Sequence, residues 1–150
     1  MLRRSGLQAL QALLELAQEA ERWRSVNEIA AAQQLPAPML EQLLLLLRRA
    51  GLVEARRGRL GGYRLQRSPA QIAVADVLAA VGAPLRLLPE TREMGQTGEL
   101  AAEQQVLEAM GQRLQRALER ELAQLTLEEL LFDLRSCRQT LSHEGGLMLG

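Results

Sequence analysis

The stretch "GLVEARRGRLGGYRL" at residues 51–65 constrains the fold more than any other part of the chain. Leu52, Val53 and Ala55 alternate as a short strand does, and Tyr63 and Leu65 supply a partner strand. Between them, residues 57–62 form a tip in which Gly58, Gly61 and Gly62 permit positive φ. A hairpin this short cannot bury its own apolar face, so it must lie on something already packed.

The preceding residues supply that support as helices. Leu7, Leu10, Leu13, Leu14 and Ala17 recur at helical spacing over residues 7–21. Ser25 and Glu28 then match a capping box, in which the hydroxyl and the carboxylate satisfy opposed free N–H groups at a helix start. That second helix runs to about Gln33, and "LPAP" at 35–38 turns the chain. A third helix follows from about Ala37 to Ala50, with Gly51 as its stop. Two short helices joined by a tight turn after a leading helix form a helix-turn-helix unit. Adding the hairpin makes a winged helix.

"SPAQ" at 68–71 is a further cap-like start, and Val74 to Val81 predicts a short closing helix. Residues 82–98 combine two prolines and three glycines with little periodicity, as a linker does. Leu107, Met110, Leu114, Leu118, Leu122 and Leu125 then recur three or four apart on a long helix from Glu99 to about Leu125. This stripe is longer than a small domain needs, which predicts pairing with a second copy. Thr126 and Glu129 form another capping box before a last helix through about Thr140, with 142–150 expected to fray. The fold class expected is therefore mainly α: a winged helix-turn-helix domain over 1–82, a linker at 83–98, and a dimerisation helix, final helix and flexible tail over 99–150.

The formal net charge is zero, but the halves differ. Residues 1–67 carry eleven arginines against six acids, a balance of +5; residues 68–150 carry seven against twelve, a balance of −5. A basic front half suits a polyanion. Every cation is Arg and none is Lys, which a biased coding composition suffices to explain. Each is nevertheless a planar fork matched to phosphate or guanine. The aromatics are Trp23, Tyr63 and Phe132 alone, too few for modules that stack unpaired bases. One His, two Asp and no Lys leave little acid–base chemistry, so no enzyme is expected. Gly58, Gly61 and Gly62 precede a strand, unlike a phosphate loop or dinucleotide fingerprint, which leads into a helix.

Cys137 is the only cysteine, which points to a reducing compartment and a cytoplasmic location. Cys137 and His143 lack a third donor nearby, so no metal site is expected. The longest aliphatic run, Leu43 to Leu47, cannot span a bilayer, and the N-terminal segment is interrupted by Gln8, Gln11 and Glu15 as no signal peptide is.

"GLQALQALLELA" at 6–17, "NEIAAAQQLPAPMLEQLLLLLRRAGLVEARRGRLGGYRL" at 27–65 and "SPAQIAVADVLAAVGAP" at 68–84 together resemble the Rrf2 family of bacterial transcription regulators, over roughly residues 1–82. The resemblance implies a winged-helix domain, a long dimerisation helix and a palindromic operator in double-stranded DNA. Two departures stand out. Members that carry an iron–sulfur cluster have three cysteines just before and entering the long helix, whereas residues 84–110 here have none. No cofactor is therefore expected. The recognition helix opens on Pro36, Ala37, Pro38 and Met39, which offer few side-chain donors to base edges.

Candidate DNA-contacting residues follow. Arg56, Arg57 and Arg59 sit on the wing; Arg59, at the apex, suits a narrow minor groove, and Arg56 or Arg57 suits phosphate. The alternative is a solvated turn. Gly61 and Gly62 thin the tip, and Tyr63 either packs the wing or offers its hydroxyl. On the third helix Gln42 matches adenine and Met39 lies at the entry; Arg48 also suits the helix dipole. Arg3 and Arg4 form a basic arm or first turn suited to phosphate, or else an unordered tail. The competing reading is a protein-interaction module that kept the fold and lost sequence-specific DNA binding, with an unidentified effector or partner protein.

Overall fold

A computed structural model of the protein describes residues 1–88 and 100–149, with side chains up to residue 143. The expected linker 83–98 lies mostly outside the described residues, as does Glu99, the expected first residue of the long helix. The elements run α1 (Arg4–Gln18), α2 (Val26–Gln33), α3 (Ala37–Arg49), β1 (Val53–Arg56), β2 (Gly62–Leu65), α4 (Val74–Ala80), α5 (Ala101–Gln124) and α6 (Leu127–Leu149). This is a mainly α winged helix with a two-stranded antiparallel wing. No described helix is long and apolar enough to cross a membrane.

The core is aliphatic, as the composition requires. α1 buries Ala9, Ala12, Leu13 and Leu16; α2 adds Ile29; α3 adds Leu40, Leu44 and Leu47. Leu7, expected on that face, is exposed: α1 begins at Arg4, and its buried stripe starts with Gly6 and Ala9 instead. A Cβ on Gly6 would lie 2.6 Å from Leu78, so α1 and α4 approach closely there.

The caps are half of what the sequence suggests. Ser25 Oγ accepts the N–H of Glu28 at 3.1 Å, but the Glu28 carboxylate turns to Arg24 instead of reaching back to its own helix start. α2 ends at Gln34 in the left-handed region, φ 54°, and the chain reverses there before the prolines. Gly51, at φ 76°, takes the equivalent place after α3. Ser68 makes no cap; a single 3-10 turn, Pro69–Gln71, precedes α4, whose start is closed by Asp76 Oδ2 accepting the Ala73 N–H at 3.2 Å.

α6 is both longer and more central than its sequence suggests. It continues past Thr140 to Leu149, since the stretch holds no proline and its two glycines cost only about 1 kcal/mol each. Its first turns pack into the main core: Leu127 and Leu131 are buried beside Ile72 and Val77. Backbone bonds tie it there, from Leu127 N–H to the Ile72 carbonyl (2.8 Å) and from Val74 N–H to the Leu125 carbonyl (2.9 Å).

Candidate nucleic-acid interface

The wing is built on a strict register. Val53 pairs with Leu65, Glu54 with Arg64, Ala55 with Tyr63 and Arg56 with Gly62. Alternation sends Val53 and Leu65 into the core and the charged pair outward. Gly62 belongs to β2 rather than to the tip, and its place is dictated by a third segment. Arg24 lies alongside β2, exchanging two backbone bonds with Tyr63: Tyr63 N–H to the Arg24 carbonyl at 2.7 Å, and Arg24 N–H to the Tyr63 carbonyl at 2.9 Å. A Cβ on Gly62 would fall 2.3 Å from that Arg24 carbonyl, and its φ is +136°. Only glycine fits. Gly61 is excluded from substitution for a different reason, since its Cβ would sit 2.0 Å from the Arg56 carbonyl. The Gly61 N–H closes the tip on the Gly58 carbonyl at 3.1 Å.

Tertiary contacts divide the wing arginines into two kinds. Arg64 is ion-paired to Glu54 and stands over the Trp23 ring, 4.3 Å from its centroid; Arg56 lies 5.9 Å from the same centroid. Cation–π attraction at such distances is worth about 0.5–2 kcal/mol. Arg57 and Arg59 are exposed, and among the described residues no carboxylate pairs with either. The tip therefore carries two uncompensated cations on a backbone thinned by Gly58 and Gly61. The Tyr63 ring is half-buried and packs against the core.

Elsewhere, Gln42, Arg48 and Arg49 are exposed on α3, whereas Met39 is half-buried. Pro36 caps α3 without a side-chain bond, and Pro38 occupies its first turn. Arg3 and Arg4 are exposed at the start of α1, which has no side-chain cap and so leaves N–H groups free. On α5, Leu107, Met110 and Leu114 are 58%, 52% and 50% exposed. Leu118, Leu122 and Leu125 are half-buried within their own chain, and Leu122 borders a small cavity of about 110 Å³ shared with Ala75 and Leu78. The Gln115 amide holds the first residues of the linker on α5, donating to the Leu85 carbonyl and accepting the Leu87 N–H, both at 2.9 Å. Cys137 and His143 are exposed, and no group of three metal-ligating side chains occurs among the described residues.

Three residues of the wing's footing escape the sequence reading: Glu15, Trp23 and Arg24. Glu15 is a carboxylate within α1's buried stripe, only 9% exposed. Its Oε1 meets Arg24 Nη2 at 3.0 Å, and its Oε2 accepts from Gln33 Nε2 at 2.7 Å and Gln18 Nε2 at 3.2 Å. The signal was present, as a single acid inside the run "LLELA". Arg22, just before Trp23, pairs at the surface with Glu19 at 3.0 Å, and the hydrogen bond and charge of that carboxylate raise its pKa above the ordinary value.

Comparison with known proteins agrees with this architecture. Residues 2–133 match the model of the Rrf2 family, described as iron-dependent transcriptional regulators. A Synechocystis sp. protein named as an HTH-type transcriptional regulator, slr0846, is 37% identical over 129 residues, 85% of each chain. The solved structure of T. potens IscR superposes with a TM-score of 0.66 at 32% identity, covering 89% of this chain and 88% of its own. CymR, the global cysteine regulator of B. subtilis, gives 0.68 at 30% identity, covering 87% and 95%.

Proposed function

The chain belongs to the Rrf2 family of transcription regulators, and on that premise we propose that it acts as a homodimer on a palindromic operator, gripping the minor groove with its wing. The observation that carries this reading is the pair of unpaired arginines, Arg57 and Arg59, on a wing fixed to the core. Each α3 enters a major groove, with Gln42 at the base edges and Arg48 toward phosphate. Arg59 inserts into the flanking minor groove, where a narrow A·T-rich channel concentrates negative potential. Arg56, Arg57, Arg3 and Arg4 neutralise backbone phosphates, and the exposed stripe Leu107, Met110 and Leu114 forms the seam between protomers.

The family's description speaks of iron, but the residues present do not fit an iron–sulfur cluster. Such a cluster needs several thiolates held together, and the 150 residues contain one cysteine, exposed on α6. We propose a regulator without a cluster; anaerobically purified protein should show no thiolate-to-iron absorption in the visible range.

Selection of bound fragments from genomic DNA at two salt concentrations tests the reading. Enrichment of one palindrome, weakened by salt, is the expected result. The proline-led entry to α3 favours a second reading, a protein-interaction module on the same fold. Failure to enrich any sequence, with a protein partner recovered by pull-down, would establish that reading instead.

A further inference from the structure

We propose that Arg24 is a positioning residue for DNA binding, which sets the angle of the wing on the helix-turn-helix body and hence the reach of Arg57 and Arg59. It rests on the DNA-binding reading above, and adds to it a residue that touches no DNA. Val53 and Leu65 anchor the base of the wing in the core. Nearer the tip, the strands are tied to the body by the two backbone bonds between Arg24 and Tyr63. Arg24 is itself fixed by its side chain, which is only 12% exposed. Its guanidinium fork reaches Glu15 on α1 through Nη2 at 3.0 Å and Glu28 on α2 through Nε at 3.1 Å. Glu15 in turn accepts from Gln33 at the end of α2. One residue thus joins α1, α2 and the wing.

The chemistry argues for geometry over bulk stability. A desolvated ion pair contributes little that an apolar pair would not, but it specifies direction. A planar fork bonded on two sides resists rotation as a lysine cannot. A protein that contacts DNA through both a helix and a wing gains from a fixed spacing, because a wing that rocks loses freedom on binding. Trp23, next in sequence, lies under Arg64 and Arg56 and braces the same side of the hairpin.

The test is a double-mutant cycle on the duplex enriched by genomic selection. Binding constants and hydroxyl-radical footprints are measured for wild type, Arg24→Gln, Arg59→Ala and the double variant. Arg24→Gln should bind about tenfold more weakly, losing minor-groove protection at the flanks while keeping protection under α3. The double variant should be no more than about twofold weaker than Arg59→Ala, since both changes remove the same contact. Arg24→Lys, which keeps the charge but not the fork, should fall between wild type and Arg24→Gln. Additive losses, or a uniform fading of the whole footprint, would mean that Arg24 serves only folding and would overturn the proposal. If Arg24→Gln loses its helical circular dichroism, the cycle is run with Arg24→Lys, and additivity there overturns it equally. Wild-type affinity in Arg59→Ala would sink the minor-groove reading itself, a result distinct from any shown by the Arg24 variants.

Discussion

At the scale of single residues, position decides what an arginine or a glycine does. Gly62 has a positive φ and the Arg24 carbonyl where a side chain would begin. Gly62→Ala should therefore cost about 1–3 kcal/mol of local strain, and it should weaken DNA binding more than it lowers the urea midpoint. Equal, proportionate losses in titration and melt would contradict that separation. Arg59, with no partner among the described residues, is free for an anion, unlike Arg64, held by Glu54 and Trp23. Arg59→Ala should weaken sites with A·T flanks more than sites with G·C flanks; equal losses would leave simple phosphate contact. Gly58 and Gly61 were legible because a tight turn demands them, whereas the demand on Gly62 comes from the Arg24 carbonyl, which only the folded chain brings there. The fate of Glu28 was not: its spacing from Ser25 suggests a reciprocal cap, but Arg24, brought in by the turn of the chain, offers a charged donor and takes it.

At the scale of elements, α5 is the helix whose burial is least complete. Among its described residues only Gly111 is buried, under Leu88, whose Cδ1 lies 2.3 Å from where a Cβ on Gly111 would be. The outward residues Leu107, Met110 and Leu114 recur three and four apart on the face left open. The double substitution Met110→Glu and Leu114→Glu should place like charges on the seam, giving a monomer in sedimentation and about a 100-fold loss on a palindromic duplex through lost bivalency. An unchanged dimer would move the interface elsewhere. Helical periodicity made α1 and α5 readable, because it is a property of neighbours three and four apart, whereas α3 was readable from its proline entry and glycine stop. The role of α6 was not readable in the same way. Leu127 and Leu131 show only that one face is apolar; the Ile72 carbonyl that receives the Leu127 N–H lies more than fifty residues earlier in the chain.

At the scale of the whole molecule, charge is what couples fold to function. Of the front half's excess of five positive charges, four lie on the wing and α3 and the fifth is Arg67 just after β2, and the acidic half supplies α5 and α6. If each protomer neutralises about five phosphates, through Arg3, Arg4, Arg48, Arg56 and Arg57, the log–log dependence of affinity on salt should have a slope near −9 for the dimer. A slope near zero on the selected duplex would remove the electrostatic account, and about half that value would indicate a single protomer bound. Local chemistry within the sequence determined where α2, α3 and α4 begin and end, since caps, glycine stops and apolar spacing act over a few residues. It also determined that no cluster-binding set of cysteines exists here. Tertiary structure alone decided which arginines are free. Glu15 reaches Arg24 and Gln33, Glu54 and Trp23 occupy Arg64, and α6 closes the core, because each of those contacts joins residues that only the folded chain brings together.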